Sequence, residues 1–383
     1  MTQRERDIYQ IIKANPQISQ NSIAEELGIT RSAVSAYLVS MTKKGLIRGR
    51  GYILNDEGFC LLMGPGHIDI VTTCLDSGLR FGMHDSVETT IAYGGATKNI
   101  AQYLTRLDVA ARGMFTVTSD SFGQNFLEDC KKNNIDCQDS LILNDCAMPI
   151  YNEISKNNGE IIAAATVIDN LAEYITPKFL TGKDPVLRAA NKIVVHDSIP
   201  YSSLEYLTAS YDNSKLIYLS TYYSQTMLHA DLLPRFDTVF MSYSTAYHLC
   251  YGVQLPTKTI PTISELQALG RILKEKKYKC IIIPYSLSGS CIIHDDTCLV
   301  MEVSLKNPTD ECRSHYRFFR DASLASVVKS KLNNASDHSL LLHLNATKLA
   351  VFSSIRISDN NYCEALVQSI AHSLELNTFR LEL

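Results

Sequence analysis

The stretch SIAEELGITRSAVSAYLVSMTKKGLI, residues 22–47, decides how the N-terminal part of this 383-residue chain folds. Gly28 divides it into two helical segments, because glycine tolerates the tight turn that ends the first helix. Thr30 can cap the second segment, predicted from residue 31 to about residue 44, whose apolar residues recur at helical spacing. The stretch therefore predicts a helix, a turn and a second helix.

The residues on either side complete this pattern. Apolar residues at helical spacing predict a further helix over residues 5–14, which ends before Pro16 because the residue before proline avoids helical geometry. After the helices, GLIRGRGYIL, residues 45–54, predicts two short strands around a glycine-rich tip. Three helices followed by such a hairpin form a winged helix-turn-helix, so we expect a DNA-binding domain in residues 1–55.

The predicted third helix and the hairpin carry polar and basic side chains suited to double-stranded DNA. We expect outward positions of the helix to meet base edges and phosphates, and the flanking basic residues to contact the DNA backbone. These candidate DNA-binding residues are Arg31, Ser32, Ser35, Tyr37, Lys43, Lys44, Arg48 and Arg50. The alternative is a small helical domain for dimerisation or docking, since helix-turn-helix geometry also serves protein contacts.

Charge is distributed unevenly along the chain. Residues 1–50 contain eight basic and four acidic side chains, a net charge of +4, whereas the whole chain carries −4, so the remainder carries −8. A basic segment on an acidic body is typical of a DNA-reading module joined to a ligand-binding or catalytic domain. The 11 cysteines lack metal-ligand spacing, so we expect reduced thiols and no metal site. Without a signal-peptide pattern or an apolar stretch of about 18 residues, we expect a cytoplasmic protein.

From residue 58 onward, short apolar runs alternate with helical stretches. The runs are FCLLMGPGHIDIV, ARGMFTVTS, KIVVHDS, KLIYLST, DTVFMS and CIIIPYS. Strands separated by helices of this length predict an α/β domain over residues 58–383, with a mainly parallel sheet flanked by helices. Ligands in such folds bind beyond the carboxyl ends of the strands.

Three segments of this domain carry a family resemblance: GPGHID at residues 64–69, YGGATKNIA at 93–101 and SDSFG at 119–123. In order and spacing they resemble the ribokinase-like (phosphofructokinase B type) carbohydrate kinases. Together with the winged helix-turn-helix, the chain is most similar to bacterial pseudouridine kinases. The resemblance implies a small β lid over a sugar, formed by about residues 82–92 and 148–165.

The resemblance also implies where a sugar or nucleoside-like ligand would bind. Asp69 matches an aspartate that binds sugar hydroxyls, and Gly94 and Gly95 match glycines that let the backbone approach the sugar. Asn99 matches a residue whose amide can both donate and accept hydrogen bonds. Without the surrounding segments, the glycine pair would predict only a turn, and Asn99 only the start of a helix.

The phosphate-binding segment departs from the family pattern. The family has Gly-Ala-Gly-Asp at a helix N-terminus, where free backbone N–H groups bind phosphate and the aspartate is the base. This chain has Phe318, Phe319, Arg320 and Asp321 there, which retains Asp321 as a possible vestigial base and loses the glycines. We therefore expect the side chains of residues 318–320 to occupy the anion hole.

Two further segments on the nucleotide side have also changed. The family's Asn-x-x-Glu, which helps to order magnesium, falls at residues 242–245, where no carboxylate remains. The family's Thr-x-Gly-x-x-Gly falls at residues 284–289, which keep only the last glycine. We therefore expect ATP and magnesium as cofactors only if kinase activity survives.

These patterns predict a DNA-binding transcriptional regulator whose kinase-like domain senses a small molecule and mediates dimerisation. Two heads in a homodimer would read the two halves of a symmetric operator. One alternative is an active ATP-dependent sugar or nucleoside kinase that also binds DNA, with Asp321 as the base. The other is a structural dimerisation platform without a ligand.

Overall fold

The computed structural model of the protein describes residues 1–15, 18–47, 58–75, 85–156, 161–166, 170–221, 223–255, 259–287, 289–303, 316–356, 364–374 and 376–383. Residues 1–47, called the head, contain α1 Gln3–Ala14, α2 Gln20–Leu27 and α3 Arg31–Lys43. Most of the predicted wing, including Arg48 and Arg50, lies outside the described residues.

Local capping explains where the head helices begin and end. Thr2 and Glu5 form a capping box at α1, and Ser19 and Thr30 each accept a hydrogen bond from a backbone N–H in the first turn of α2 and α3. Gly28 ends α2 with a φ of 62°. The apolar faces of the helices share one small core: Ile8, Ile12, Ile23, Val34, Leu38 and Met41. The predicted helix-turn-helix is thereby confirmed.

The described residues from 58 to 383 form the body, which is built on two sheets. Its strands are β1 Cys60–Pro65, β2 His67–Cys74, β3 Val87–Gly94, β4 Ala111–Thr118, β5 Leu141–Leu143, β6 Ile150–Ser155, β7 Ile161–Thr166, β8 Lys192–His196, β9 Leu216–Leu219, β10 Thr238–Phe240, β11 Cys280–Pro284, β12 Gly289–His294, β13 Thr297–Val303 and β14 Leu376–Glu382. The large sheet has the order β14-β13-β12-β11-β10-β9-β8-β1-β4-β5, and the small sheet has the order β3-β2-β6-β7. From β11 to β5 all neighbours pair in parallel, whereas β12, β13 and β14 pair antiparallel. The predicted mainly parallel sheet is confirmed.

Helices cover both faces of the large sheet. They are α4 Ala96–Arg106, α5 Ser121–Lys132, α6 Pro177–Gly182, α7 Asp184–Ala189, α8 Tyr201–Ser210, α9 Tyr223–Leu228, α10 Tyr243–Tyr251, α11 Ile263–Glu275, α12 Tyr316–Leu332, α13 Asp337–Arg356 and α14 Glu364–Ser373. Successive strand residues point to opposite faces, so Leu62 packs into a core with Leu104 of α4, and Leu61 into a second core with Leu204 of α8. Among the described helices, none combines the length and apolarity needed to cross a membrane.

The first apolar run of the body, predicted as one strand, is divided between the two sheets. The Gly66 N–H donates to the Thr116 carbonyl in the large sheet at 2.9 Å, and the Ile68 N–H donates to the Pro149 carbonyl at 2.9 Å. Beyond Gly66 the chain therefore continues as β2 in the small sheet. Both predicted lid segments contribute strands to this sheet, but β2 was missed because a continuous apolar run carries no mark of the change in partner.

Candidate functional site

Three of the predicted ligand residues meet where the small sheet joins α4. A Cβ atom at Gly94 would lie 2.5 Å from Asp69 Oδ2 and 3.7 Å from Asn99 Oδ1. The absence of a side chain at position 94 therefore leaves room for the carboxylate and the amide close to the backbone there. The structure brings Asp69, Gly94 and Asn99 into one cluster.

Gly95 turns the chain from β3 into α4. Its φ is 102°, and a Cβ atom there would lie 2.9 Å from the Pro65 carbonyl oxygen. Both the torsion angle and the close approach require glycine, whether or not a sugar binds. A backbone contact from Gly95 to a sugar stays a prediction.

Asp321 of α12 lies against this cluster and is almost fully buried. Asn99 Nδ2 donates to Asp321 Oδ2 at 3.1 Å, while Arg320 Nε and Nη2 both lie 2.8 Å from Asp321 Oδ1. The family's base position is thus hydrogen-bonded to the predicted sugar-side residues. Arg320, however, forms an ion pair with this carboxylate and so compensates its negative charge.

The phosphate-binding position is changed in a way that the sequence did not predict. Phe319 is only 5% exposed and packs in the core. That its side chain occupies the anion hole stays a prediction. The side chain of Phe318 lies outside the described part of the chain. Because α12 begins at Tyr316, residues 320 and 321 lie in its second turn, where backbone N–H groups bond to carbonyls one turn earlier. The backbone N–H groups of Arg320 and Asp321 are therefore used within the helix.

Two of the segments noted in the sequence act as helix caps. Ser242 Oγ accepts a hydrogen bond from the Thr245 N–H at 3.1 Å, at the start of α10. Asp120 Oδ1 accepts one from the Gly123 N–H at 3.0 Å, at the start of α5. Capping explains why these residue types occur there without a role in phosphate or magnesium binding.

The turn between β11 and β12 is held by a lysine that the sequence did not reveal. Lys348 of α13 is fully buried, and its ammonium donates to the carbonyls of Ser286 at 2.7 Å and Gly289 at 2.9 Å. A side chain at Gly289 would collide with the ring of Tyr285. The glycine retained from the family pattern is therefore needed for packing of this turn.

Two histidines that the sequence did not single out lie beside the ligand cluster. His67 Nδ1 lies 3.3 Å from Asp69 Oδ1, and its buried Nε2 has no hydrogen-bond partner among the described residues. His196 ends β8; burial lowers its pKa, and its Nε2 lies 3.1 Å from Thr221 Oγ1. His196 lies at the end of a predicted strand, and this location is the signal that would have found it. His67 falls inside a run that was predicted as one strand, so it carried no such signal.

On the head, the predicted DNA-binding residues differ in exposure. Arg31 and Ser32 are exposed in the first turn of α3, and Lys43 is exposed in its last turn. Ser35 is half-buried, and the half-buried Tyr37 packs against the head core, so it is directed away from the exposed face. The structure thus separates Tyr37 from the exposed candidates.

Two apolar residues of α3 share its exposed face and were missed in the sequence analysis. Ala36 and Val39 are both exposed, with Val39 at 54%. Helical periodicity would have found them, because the inward residues place positions 32, 36, 39 and 43 on the opposite side. Small apolar side chains in this position suit contact with thymine methyl groups.

Lys44 is engaged within the head. Its ammonium lies 2.5 Å from Oε1 of Glu5, a carboxylate only 2% exposed that also accepts from Ser40 Oγ at 3.0 Å. The hydrogen bond from Lys44, together with one from the Thr2 N–H, lowers the pKa of Glu5 from 4.5 to about 2. Lys44 therefore stabilises the packing of α1 against the end of α3, a role distinct from the predicted contact with DNA.

We expect Lys44→Ala to destabilise the head by about 1 to 3 kcal/mol, because it removes the main partner of a buried carboxylate. Since the pKa of Glu5 is lower in the folded state, this stabilisation is present above about pH 4.5 and is lost as the pH falls towards about 2. Hydrogen exchange at the Ile8 and Ile12 amides, measured in the full chain, reports the effect. Lys43→Ala is the matched control, and equal exchange in both variants would contradict the prediction.

A helix-turn-helix head on a sugar-kinase-like body defines the class of this protein. Residues 1–48 match the model of winged helix-turn-helix DNA-binding domains, and residues 76–310 match that of the pfkB family of carbohydrate kinases. The chain therefore belongs to the pfkB family of carbohydrate kinases, as the resemblance predicted.

Curated relatives agree with this assignment. The chain is 29% identical over 209 residues to the "Uncharacterized sugar kinase YeiI" of Escherichia coli K12, covering 54% of this chain and 57% of that protein. It is 23% identical over 154 residues to the pseudouridine kinase of the same organism, covering 40% of this chain and 49% of that protein. The chain thus spans only about half the length of the curated relatives that it matches.

Solved structures share the fold of the body. A carbohydrate kinase from Agrobacterium tumefaciens superposes with a TM-score of 0.68 at 15% identity, covering 84% of this chain and 100% of that one. Ribokinase from Giardia lamblia superposes with a TM-score of 0.64 at 14% identity, covering 83% and 100%. At these identities, the likeness supports the fold alone.

Proposed function

We propose that this protein is a DNA-binding transcriptional regulator whose kinase-derived body senses a sugar or nucleoside-like molecule. The observation that carries the proposal is the pairing of Arg320 with Asp321 beside an intact cluster of Asp69, Gly94 and Asn99. The groups suited to sugar hydroxyls remain together, while the base is neutralised. Such a site retains binding and loses the means of phosphoryl transfer.

Sensing requires that the ligand bind two states of the protein with different affinity. The cluster lies at the join between the small sheet and α4, so a ligand bound there would contact both the small sheet and the helices that cover the large sheet. We propose that ligand binding shifts the small sheet and changes how two heads of a homodimer are spaced on an operator. A cytoplasmic location is part of the proposal, since the target duplex is found there.

An active kinase is the second candidate, and it is favoured by the retained carboxylate of Asp321 and its hydrogen bond to Asn99. In an active kinase, a substrate hydroxyl group would displace Arg320 from Asp321 when the substrate binds. The two candidates agree on sugar binding and differ in turnover with ATP.

We expect Asp69→Ala to weaken binding of ribose or a nucleoside by about 10- to 100-fold, because a carboxylate accepting hydroxyl groups makes charge-assisted hydrogen bonds. Titration calorimetry with the full chain and a panel of sugars and nucleosides measures the effect. The matched control is Glu88→Ala, which removes an exposed carboxylate near the far end of the same strand pair. No binder in the panel, or one equally affected by both variants, would remove the support for sensing.

A further inference from the structure

The head is seated on the body immediately after α3. A Cβ atom at Gly45 would lie 2.6 Å from Ala189 Cβ of α7 and would collide with the Pro185 carbonyl oxygen. Beside this contact lies a cleft of about 970 Å³, called the head–body cleft, with α3 on one side and α7 and the end of α8 on the other. Its volume is within the range of small-molecule sites, which often form between domains.

The head–body cleft is basic, although the body as a whole is acidic. Four cations line it, against two carboxylates: Lys43, Lys44, Arg188 and Lys215 against Asp184 and Asp212. An excess of positive charge in a concave site between low-dielectric walls favours an anionic ligand.

Both carboxylates of the cleft already have partners. Asp184 accepts from Arg188 Nε at 2.8 Å and from the Tyr211 hydroxyl at 3.0 Å. Asp212 Oδ1 accepts from the Ser214 N–H at 2.9 Å. Asp184 is therefore engaged with groups of the body, whereas Asp212 attracts Lys215 electrostatically without a direct ion pair among the described contacts.

Two lysines remain on opposite walls of the cleft. Among the described residues, no carboxylate pairs with Lys43 of α3 or with Lys215 of the body. Lys215 Nζ donates to the Arg188 carbonyl at 3.0 Å, and partial burial lowers its pKa. An anion between the walls would compensate the desolvation of Lys215 and bridge it to Lys43.

We propose that the head–body cleft binds a phosphorylated small molecule, with its phosphate held between Lys43 of the head and Lys215 and Arg188 of the body. Such a ligand would bridge the two parts and keep the exposed face of α3 against the body. Lys43 and Val39 lie both on that face and in the cleft wall, so ligand and duplex cannot occupy it together. This competition rests on the proposed DNA binding, whereas ligand binding in the cleft does not.

The test uses the full chain with inorganic phosphate, ribose 5-phosphate and unphosphorylated ribose as probes in titration calorimetry. Lys215→Met should weaken binding of both phosphate-containing probes by about tenfold, because it removes one charge-assisted contact. Lys192→Met is the matched control: Lys192 Nζ also donates to a backbone carbonyl, that of Ser214 at 2.8 Å, and partial burial also lowers its pKa, but it does not line the cleft. This control should leave phosphate binding unchanged.

A second variant of the cleft keeps the proposal testable if Lys215→Met does not fold. Ser210→Glu adds a negative charge at an exposed position of the cleft wall and should weaken both phosphate-containing probes without changing ribose binding. The proposal is overturned if neither phosphate-containing probe binds, if both cleft variants bind them like the parent, or if Asp69→Ala abolishes their binding. Loss of ribose binding alone in Asp69→Ala concerns the proposed sugar site and leaves the cleft intact.

If the competition also holds, ribose 5-phosphate should reduce the affinity of the parent for duplex DNA and should do so less in Lys215→Met. A duplex affinity that is unchanged by saturating ribose 5-phosphate would overturn the competition. Absence of duplex binding by the parent without any probe would instead contradict the proposed function.

Discussion

Replacing Lys43, Arg48 and Arg50 together by alanine is expected to remove most of the affinity for duplex DNA and to weaken its dependence on salt. Each lost phosphate contact lowers the slope of log affinity against log salt by about 0.9, so three contacts lower it by about 3. Lys44 is left in place because it pairs with the buried Glu5, and its loss would confuse binding with head stability. Fluorescence anisotropy over a range of salt concentrations measures the slope.

The control for this variant removes the same charge from the body. Lys131, Lys132 and Lys178 are exposed and lie outside the head, so their replacement by alanine should leave the salt slope unchanged. If the head variant binds as tightly as the parent at every salt concentration, the head is not the DNA reader. Equal loss in both variants would point to a general charge effect.

Single substitutions in the head, measured with the same anisotropy experiment on duplexes of different sequence, test the preference for particular base pairs. Arg31 and Ser32 are exposed in the first turn of α3, the part of a recognition helix that meets base edges. Arg31→Ala is expected to relax the preference for particular base pairs, while Lys43→Ala weakens all duplexes alike.

The second large effect is the absence of ATP-dependent phosphorylation. Phosphoryl transfer needs a phosphate held in line, neutralised charge and a base for the attacking hydroxyl. Here the backbone N–H groups of Arg320 and Asp321 lie in the second turn of α12, Arg320 pairs with the carboxylate, and residues 242–245 offer no carboxylate for magnesium. Each lost donor costs about 100- to 1000-fold in rate, so we expect no measurable turnover.

Turnover on a broad panel of sugars and nucleosides, with ATP and magnesium, checks this expectation. The parent and Asp321→Asn should be equally inactive. Arg320→Gly should not restore activity either, because it frees the carboxylate without providing phosphate donors or a magnesium ligand. Substantial turnover in the parent that disappears in Asp321→Asn would establish the kinase alternative and displace the regulator.

Local sequence signals were sufficient for the head and for the class of the body. Caps at Ser19 and Thr30, a left-handed Gly28 and apolar residues at helical spacing define the head helices, because these interactions lie within a few residues along the chain. Alternating apolar runs and helices likewise predict a mainly parallel sheet, since each strand is buried on both faces.

Contacts between distant segments were decided only by the tertiary structure. The division of residues 59–71 between two sheets depends on partners at Thr116 and Pro149, which no local pattern reveals. The burial of Phe319 depends on how α12 packs, and the start of α12 at Tyr316 places Arg320 and Asp321 in the second turn of the helix.

The partners of the charged residues were also decided only by the tertiary structure. By sequence, Lys43 and Lys44 are equivalent neighbours, and both were predicted to contact DNA. Folding pairs Lys44 with Glu5, which lies 39 residues earlier, and leaves Lys43 on the wall of the head–body cleft. The sequence by itself determined which side chains carry charge and which helices present them. Only packing decided which charges meet a partner, because burial and pairing depend on residues far apart in the chain.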